Sequence, residues 1–303
     1  MNNILELIGN TPIVQINKLN PNKNVNIFAK LEGNNPGGSI KDRIALKMIK
    51  EAEKTGKLTK NKTIIEATSG NTGIAIAMIA AVKGYKVEIV MSEGVSVERR
   101  KMIGAFGAKI TLTDGKLGTD GAIQKTRELV AEFPQKYYHT DQFSNDNNIL
   151  AHYETTAAEI WKQMDGKIDY FVAAIGTSGT LMGVSKYLKQ KNPGVKIVSA
   201  EPVVGHYIQG LKNMEEAIIP AIYDREHLDD IIMIETEAAF DMARQLARGE
   251  GIFCGMSSGA AMYASLEIAK KNSAQGGQAK NIITIFPDRG EKYLSTSLFD
   301  QIS

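Results

Sequence analysis

The chain has 303 residues, a formal net charge of +2, 43% hydrophobic and 23% charged residues. Acidic and basic side chains are interspersed, which argues against a nucleic-acid or membrane-surface partner, and the longest apolar run, "GIAIAMIAAV", is too short to cross a bilayer. A chain of this length buries a large core, as two domains or one large α/β unit.

In chain order, "MNNILELIGNTP" lacks the basic start and long apolar stretch of a secretory signal. "GNNPGGSIKDRIALKMIK" then reads as a turn followed by a helix, with Ser39 as N-cap and Ile40, Ile44, Met48 and Ile49 at helical spacing. Lys41 falls in the first turn, where the positive end of the helix dipole disfavours its charge. A neutral amine is a nucleophile, although a plain surface lysine at a helix start is the alternative. Next, the strand "TIIEA" runs into "TSGNTG" (Thr68 to Gly73) and an apolar helix. Free N–H groups and the hydroxyls of Thr68, Ser69 and Thr72 make a site for a small anion such as a carboxylate, or simply a tight turn.

"KVEIVM" and "KITLT" read as buried strands, with helices "SVERRKMIGAFG" and "TDGAIQKTRELVAEF" after them. The turn-rich "GNNPGGS" and "FSNDNN" are the candidate domain crossings. The strand "DYFVAAIG" enters "GTSGT" (Gly176 to Thr180) and the helix "LMGVSKYLKQK", a second helix start equipped for an anion. A dinucleotide loop is the rival, because Glu201 closes the following strand "KIVSAEP" where a ribose-binding acid would lie. The glycine spacing does not match that fingerprint and no lysine follows the second glycine, so a phosphate monoester fits better. "DIIMIE" and "NIITIFP" complete the strand list, with the helix "AAFDMARQLARGEG" and the turn "GMSSGAA" between them. The alternation of strands and helices gives an α/β fold with parallel sheets. Cys254, the only cysteine, reads as a small buried hydrophobe and excludes an intrachain disulfide, so a reducing cytoplasm is expected. His139, His152, His206 and His227 have no metal-ligand spacing, so no metal site is expected.

A nucleophilic lysine, a phosphate cradle and a carboxylate cradle together describe pyridoxal 5′-phosphate (PLP) and an amino acid. Ser257 or Ser258 supplies a hydroxyl for the pyridine nitrogen at the start of another helix, or is an N-cap. A serine there leaves that nitrogen largely unprotonated, which suits β-elimination and β-replacement.

"KLEGNNPGGSIKDR", "EATSGNTG", "QFSN", "GTSGT", "EGIFCGMSSGAA" and "RGEKYLST" resemble, in order and over nearly the whole chain, the cysteine synthase (O-acetylserine sulfhydrylase) family. These are fold-type II PLP enzymes, related in fold to the β subunit of tryptophan synthase, with two open parallel-sheet domains and the cofactor between them. The resemblance implies that Lys41 carries the Schiff base and later removes the substrate α-proton. It implies that Asn71 bonds the cofactor's 3′-oxygen, that Gly176, Thr177, Ser178, Gly179 and Thr180 hold the phosphate, and that Ser257 faces the pyridine nitrogen. Thr68, Ser69, Asn71, Thr72 and Gln142 would bind the substrate carboxylate. A mobile smaller domain would span residues 42–147, within a larger cofactor-binding domain formed by 1–41 and 148–303, and the protein would be a homodimer.

The implied reaction passes through an α-aminoacrylate and converts O-acetyl-L-serine and sulfide to L-cysteine and acetate. Length and "GIFCG" look closer to the B-type isoform. Thiosulfate-using B-type enzymes have arginines where this chain has Lys212 and Asn213, and Asp224, Glu226, Asp229 and Asp230 crowd the segment from Leu211 to Ile231. Those acids read as a solvated loop. If Asp224, Asp229 or Asp230 entered the site, it would serve as a base for cysteine as donor with release of hydrogen sulfide, forming serine or lanthionine. Cystathionine β-synthase chemistry is a further alternative, and binding to serine acetyltransferase is left open.

Overall fold

The computed structural model describes residues 2–272 and 279–300. Along the chain lie β1 (Ile13–Ile16), β2 (Val25–Leu31), α1 (Lys41–Lys54), β3 (Thr63–Ala67), α2 (Asn71–Lys83), β4 (Lys86–Ser92) and α3 (Val97–Ala105). They are followed by β5 (Lys109–Thr113), α4 (Gly118–Glu132), β6 (Tyr137–His139), α5 (Asp146–Ala151) and α6 (Ala158–Gln163), the last two joined by a π turn. The remainder comprises β7 (Tyr170–Ala174), α7 (Gly179–Lys191), β8 (Lys196–Pro202), β9 (Asp230–Ile234), α8 (Thr236–Gln245), α9 (Met256–Lys271) and β10 (Lys280–Phe286).

The strands form two sheets. One has the order β1-β2-β10-β7-β8-β9, parallel except for the antiparallel edge pair β1–β2, and the other has the order β5-β4-β3-β6, parallel throughout. The chain leaves the first sheet after β2, builds the second, and returns through α5 and α6 to β7. All seven apolar runs read as strands in the sequence form strands, and the parallel pairing is the one their continuous hydrophobicity implies.

Helices cover both faces of each sheet. Around the six-stranded sheet, Ala239, Phe240 and Ala243 of α8 and Ala260, Ala264 and Ile268 of α9 fill one side, and Leu181, Val184 and Leu188 of α7 fill the other. Around the four-stranded sheet, Ala45 and Ile49 of α1 pack with Ile74, Ile79 and Ile103 on one side, while Ala122 and Ile123 of α4 meet Ile65 and Val90 on the other. The helix α2 is apolar all round because it lies between sheet and α1, and its side chains from Thr72 to Ala80 are buried. It stops at Gly84, which takes the left-handed conformation at φ +72° that ends helices.

The helix expected after Ser39 begins at Lys41, with Ile40 in the cap position, and the Ser39 hydroxyl accepts the Lys41 N–H at 3.2 Å. Ser39 therefore stands one residue before the observed cap position, and the helix starts one residue later than its spacing suggested. The pattern read as one helix over "AAFDMARQLARGEG" is α8 followed by a π turn, Leu246–Glu250.

Candidate active site

Parallel strands deliver their following helices at one edge, so helix N-termini gather at the carboxyl ends of a sheet. Here α1, α2, α7 and α9 all begin at one cleft. Lys41, Thr68, Ser69, Asn71, Thr72 and Gln142 line it from one side. Gly176, Thr177, Thr180 and Ser257 line it from the other. Among the described residues, α2, α7 and α9 have no side-chain hydrogen bond at the cap, so their first N–H groups are available to a ligand, whereas in α1 the Ser39 hydroxyl takes the Lys41 N–H.

The Lys41 amine is half-buried and its surface opens into the cleft. Burial pulls its pKa from 10.5 to about 8, against the pull of Asp288 and Glu32 toward the charged form. Behind it, Glu32 is fully buried and paired to Arg43 at 2.7 Å, and Arg43 also reaches Glu159 at 2.7 Å. This network fixes the turn between β2 and α1 on which Lys41 stands.

At the start of α2, the Thr68 hydroxyl accepts the Gly70 N–H at 2.9 Å, which closes the loop on itself. Gly70 sits at φ +133° with a would-be Cβ 2.2 Å from Arg99 Cδ, so no other residue fits this turn. The Thr72 hydroxyl donates to Gln142 Oε1 at 2.7 Å, and Gln142 Nε2 donates to the Ala67 carbonyl at 2.8 Å. Of the three hydroxyls assigned to a carboxylate from the sequence, Ser69 alone has no side-chain hydrogen bond among the described residues.

At the start of α7, Ser178 adopts φ +69° in the cap position, buried, with an Oγ that meets no partner among the described residues. Ser178 and Gly179 form the turn behind the lining, so the cleft surface of this loop is Gly176, Thr177 and Thr180. A Cβ on Gly179 would lie 1.9 Å from Asn148 Oδ1, and Asn148 Nδ2 donates to Thr177 Oγ1 at 3.0 Å. Asn148 thereby locks the loop from α5, a contact no local pattern indicated.

Residues 4–288 match the family described as pyridoxal-phosphate dependent enzyme. The chain belongs to this family. It is 50% identical to a cysteine synthase of Aquifex aeolicus over 98% of this chain and 91% of that one. It is 43% identical to a cysteine synthase B of Pseudomonas aeruginosa over 98% and 97%, in keeping with the likeness to the B-type isoform. Among solved structures, a hydrogen sulfide-producing enzyme from Fusobacterium nucleatum superposes with a TM-score of 0.91 at 46% identity, covering 97% of this chain and 100% of that one.

The fold is accordingly that of a fold-type II PLP enzyme. PLP is the family's cofactor, and the donors fit it: an amine of lowered pKa, an uncapped helix start flanked by two threonine hydroxyls for a phosphate, and the Ser257 hydroxyl at a third helix start. Glu201, the acid of the rival dinucleotide reading, instead accepts from Ser199 Oγ at 3.0 Å and the Met214 N–H at 3.4 Å behind β8, outside the cleft lining. Cys254 is buried and its thiol is pushed up to about 12 by burial, as befits a packing residue. No group of His, Cys, Asp or Glu that could hold a metal ion occurs among the described residues.

Sequence reasoning singled out Lys212 only by comparison, yet it lines the cleft and donates to Asp120 Oδ1 at 2.7 Å. Gln209, Thr119 and Tyr293 also line the cleft and were not assigned there. The acids Asp224, Glu226, Asp229 and Asp230 are exposed and none lines the cleft; Asp229 is held by Lys189 at 2.8 Å and Lys196 at 3.1 Å.

Proposed function

We propose that this PLP enzyme carries out β-replacement, converting O-acetyl-L-serine and sulfide to L-cysteine and acetate. The observation that carries the reading is an amine of pKa about 8 in one cleft with two helix starts left without a side-chain cap. Near neutral pH such an amine is unprotonated in part, whereas an ordinary lysine is almost wholly charged. The Lys41 amine would hold the cofactor through its aldehyde and, when free, would serve as the base for the substrate α-proton. The N–H groups opening α7, with the Thr177 and Thr180 hydroxyls, hold the phosphate, and Asn71 meets the 3′-oxygen. Ser257 gives the pyridine nitrogen a neutral partner. Bound there, PLP supplies the electron sink that makes the α-proton removable and the β-substituent expellable.

The start of α2 receives the substrate carboxylate through its N–H groups and Ser69. Thr72 and Gln142 act first on each other, so they hold the loop in shape and exchange partners only when the carboxylate arrives. Residues 42–147 move as a unit toward the rest when this loop is filled, and the working assembly is a homodimer. Cysteine as donor with sulfide released is the second reading, favoured by the likeness to the hydrogen sulfide-producing enzyme. The exposed positions of Asp224, Asp229 and Asp230 speak against a base from that segment.

Product analysis with O-acetylserine plus sulfide, run beside cysteine alone, separates the two. Cysteine formation is expected to be the faster reaction. Sulfide release from cysteine at a higher rate would overturn the first reading in favour of the second.

A further inference from the structure

Lys292 and Tyr293 belong to the C-terminal segment that follows β10, and neither lies near the loops recognised as anion sites in the sequence. Both side chains are nonetheless almost completely buried. The Lys292 amine donates to the Gly37 carbonyl at 3.2 Å, the Gly38 carbonyl at 2.8 Å and Asn71 Oδ1 at 3.1 Å. An ammonium has three N–H donors and all three are used. The other end of the same amide is held as firmly: Asn71 Nδ2 donates to Asp288 Oδ2 at 2.7 Å. That carboxylate oxygen also accepts from Tyr293 Oη at 2.8 Å and from Arg99 Nη2 at 3.3 Å, and its side chain is inaccessible to solvent.

An asparagine amide can normally turn over at little cost, exchanging a donor for an acceptor. Here a cation that only donates faces the oxygen, and an anion that only accepts faces the nitrogen. Turning the amide over would set its N–H₂ against an ammonium and its oxygen against a carboxylate, both buried, where unpaired polar groups are costly. One amide N–H is left unclaimed among the described residues, on a side chain that lines the cleft. Gly38, at φ +76°, leaves only 3.2 Å between a would-be Cβ and the Lys292 amine, so the turn before Lys41 is shaped to admit that lysine. The contacts thus join Asn71 on α2, the turn leading to α1, and the end of β10 in one buried unit.

We propose that Lys292 and Asp288 are positioning residues that fix the orientation of the Asn71 amide, so that it offers an N–H, not an oxygen, to an acceptor in the cleft. This rests on the reading in which Asn71 meets the cofactor's 3′-oxygen. An N–H donated to that oxygen stabilises its ionised form, so the bound cofactor's spectrum and its pH dependence report the orientation.

The test uses full-length Asp288→Asn, Lys292→Met and Asn71→Ala, plus Asn71→Ala combined with each of the other two. Each is titrated with PLP as apoprotein and its visible spectrum is followed with pH, with circular dichroism to check folding. Asp288→Asn and Lys292→Met are expected to weaken PLP binding about tenfold, the loss of one hydrogen bond to a charged group. They should also shift the spectral pH midpoint in the direction that Asn71→Ala does. In the Asn71→Ala background the Lys292→Met shift should disappear, because the residue it orients is gone, and the Asp288→Asn shift should shrink to its direct effect on Lys41. A spectral shift that persists undiminished in the double variants would overturn the inference and leave the Asn71 assignment standing. If Asn71→Ala alone leaves spectrum and affinity unchanged, the assignment of Asn71 itself has failed, and the inference falls with it. Should Lys292→Met not fold, the nearly isosteric Asp288→Asn decides by the same comparison.

Discussion

Lys41 combines two requirements that pull against each other: its amine must be reachable from the cleft, yet its charge must be disfavoured. Burial meets the second requirement and the opening into the cleft meets the first. Only the unprotonated amine attacks an aldehyde, so capture of PLP by the apoprotein should speed up as pH rises and level off above about 8, where Lys41 is already neutral. Stopped-flow absorbance measures this rate, and a rise continuing toward 10.5 would contradict the lowered pKa. Lys41→Ala should abolish the covalently held visible chromophore and turnover while circular dichroism stays unchanged. The residues behind Lys41 make a different demand. Arg43 is the cation paired with buried Glu32, while Glu159 also keeps Lys30, so Arg43→Met leaves the Glu32 carboxylate buried without its cation and should cost about 3–5 kcal/mol in denaturant unfolding. Glu159 is held down to about 2 by Arg43 and Lys30, outweighing the burial that opposes this. Its contribution is therefore complete above the ordinary carboxylate range and is lost as pH falls from there toward 2.

At the scale of elements, the recurring device is a helix whose first turn is left uncapped at the cleft. A side-chain cap stabilises a helix start, so leaving several open together reserves their N–H groups for a ligand. Replacing Thr177 and Thr180 with Ala together should accelerate loss of PLP on dialysis, each charged hydrogen bond being worth about 1.5–3 kcal/mol. Release no faster than from the parent would place the phosphate elsewhere. The helix start of α2 should behave differently, since it is the one proposed for the substrate carboxylate. Ser69→Ala is expected to slow the chemical step in single-turnover absorbance while PLP content stays at the parent level. The same scale explains which strands escaped the sequence. In β2, "VNIFAKL" carries Lys30 in its interior, a residue that breaks an apolar run, but this lysine is fully buried and paired with Glu159 at 2.9 Å. The strand β6 is three residues long and β1 is a half-buried edge, too little for a periodicity to register.

Across the whole molecule, the Lys212–Asp120 ion pair joins elements packed on the two sheets, as Arg99–Asp288 also does. Lys212 follows β8 and is anchored by its N–H to the Ile175 carbonyl at 3.0 Å, on the six-stranded sheet. Asp120 lies in α4, which packs on the four-stranded sheet. Asp120 takes both the Lys212 amine at 2.7 Å and the Ile218 N–H at 3.1 Å, while the amine lies 5.3 Å from the Phe143 ring centroid. Such a pair favours the arrangement in which the two sheets approach. Asp120→Asn should therefore raise KM for the amino-acid substrate roughly fivefold, the effect of about 1 kcal/mol, with PLP content unchanged. Reversing both charges, Asp120→Lys with Lys212→Asp, should recover part of the loss; no recovery would mean that the two side chains act separately.

What the sequence by itself determined was everything carried by neighbours in the chain. The apolar runs and the glycine-bounded turns follow from patterns of a few residues, and they sufficed to mark Lys41, the loops "TSGNTG" and "GTSGT", and the pair Ser257 and Ser258; all but Ser258 contribute to the lining of one cleft. Tertiary structure decided the contacts between residues far apart in sequence. Asn148 locks the loop at Thr177, Lys292 holds Asn71, Asp120 holds Lys212, and Thr72 is committed to Gln142. None of these has a local signature, because a buried hydrogen bond needs only a donor, an acceptor and the exclusion of water. Only the folded arrangement of the two sheets supplies all three at one place.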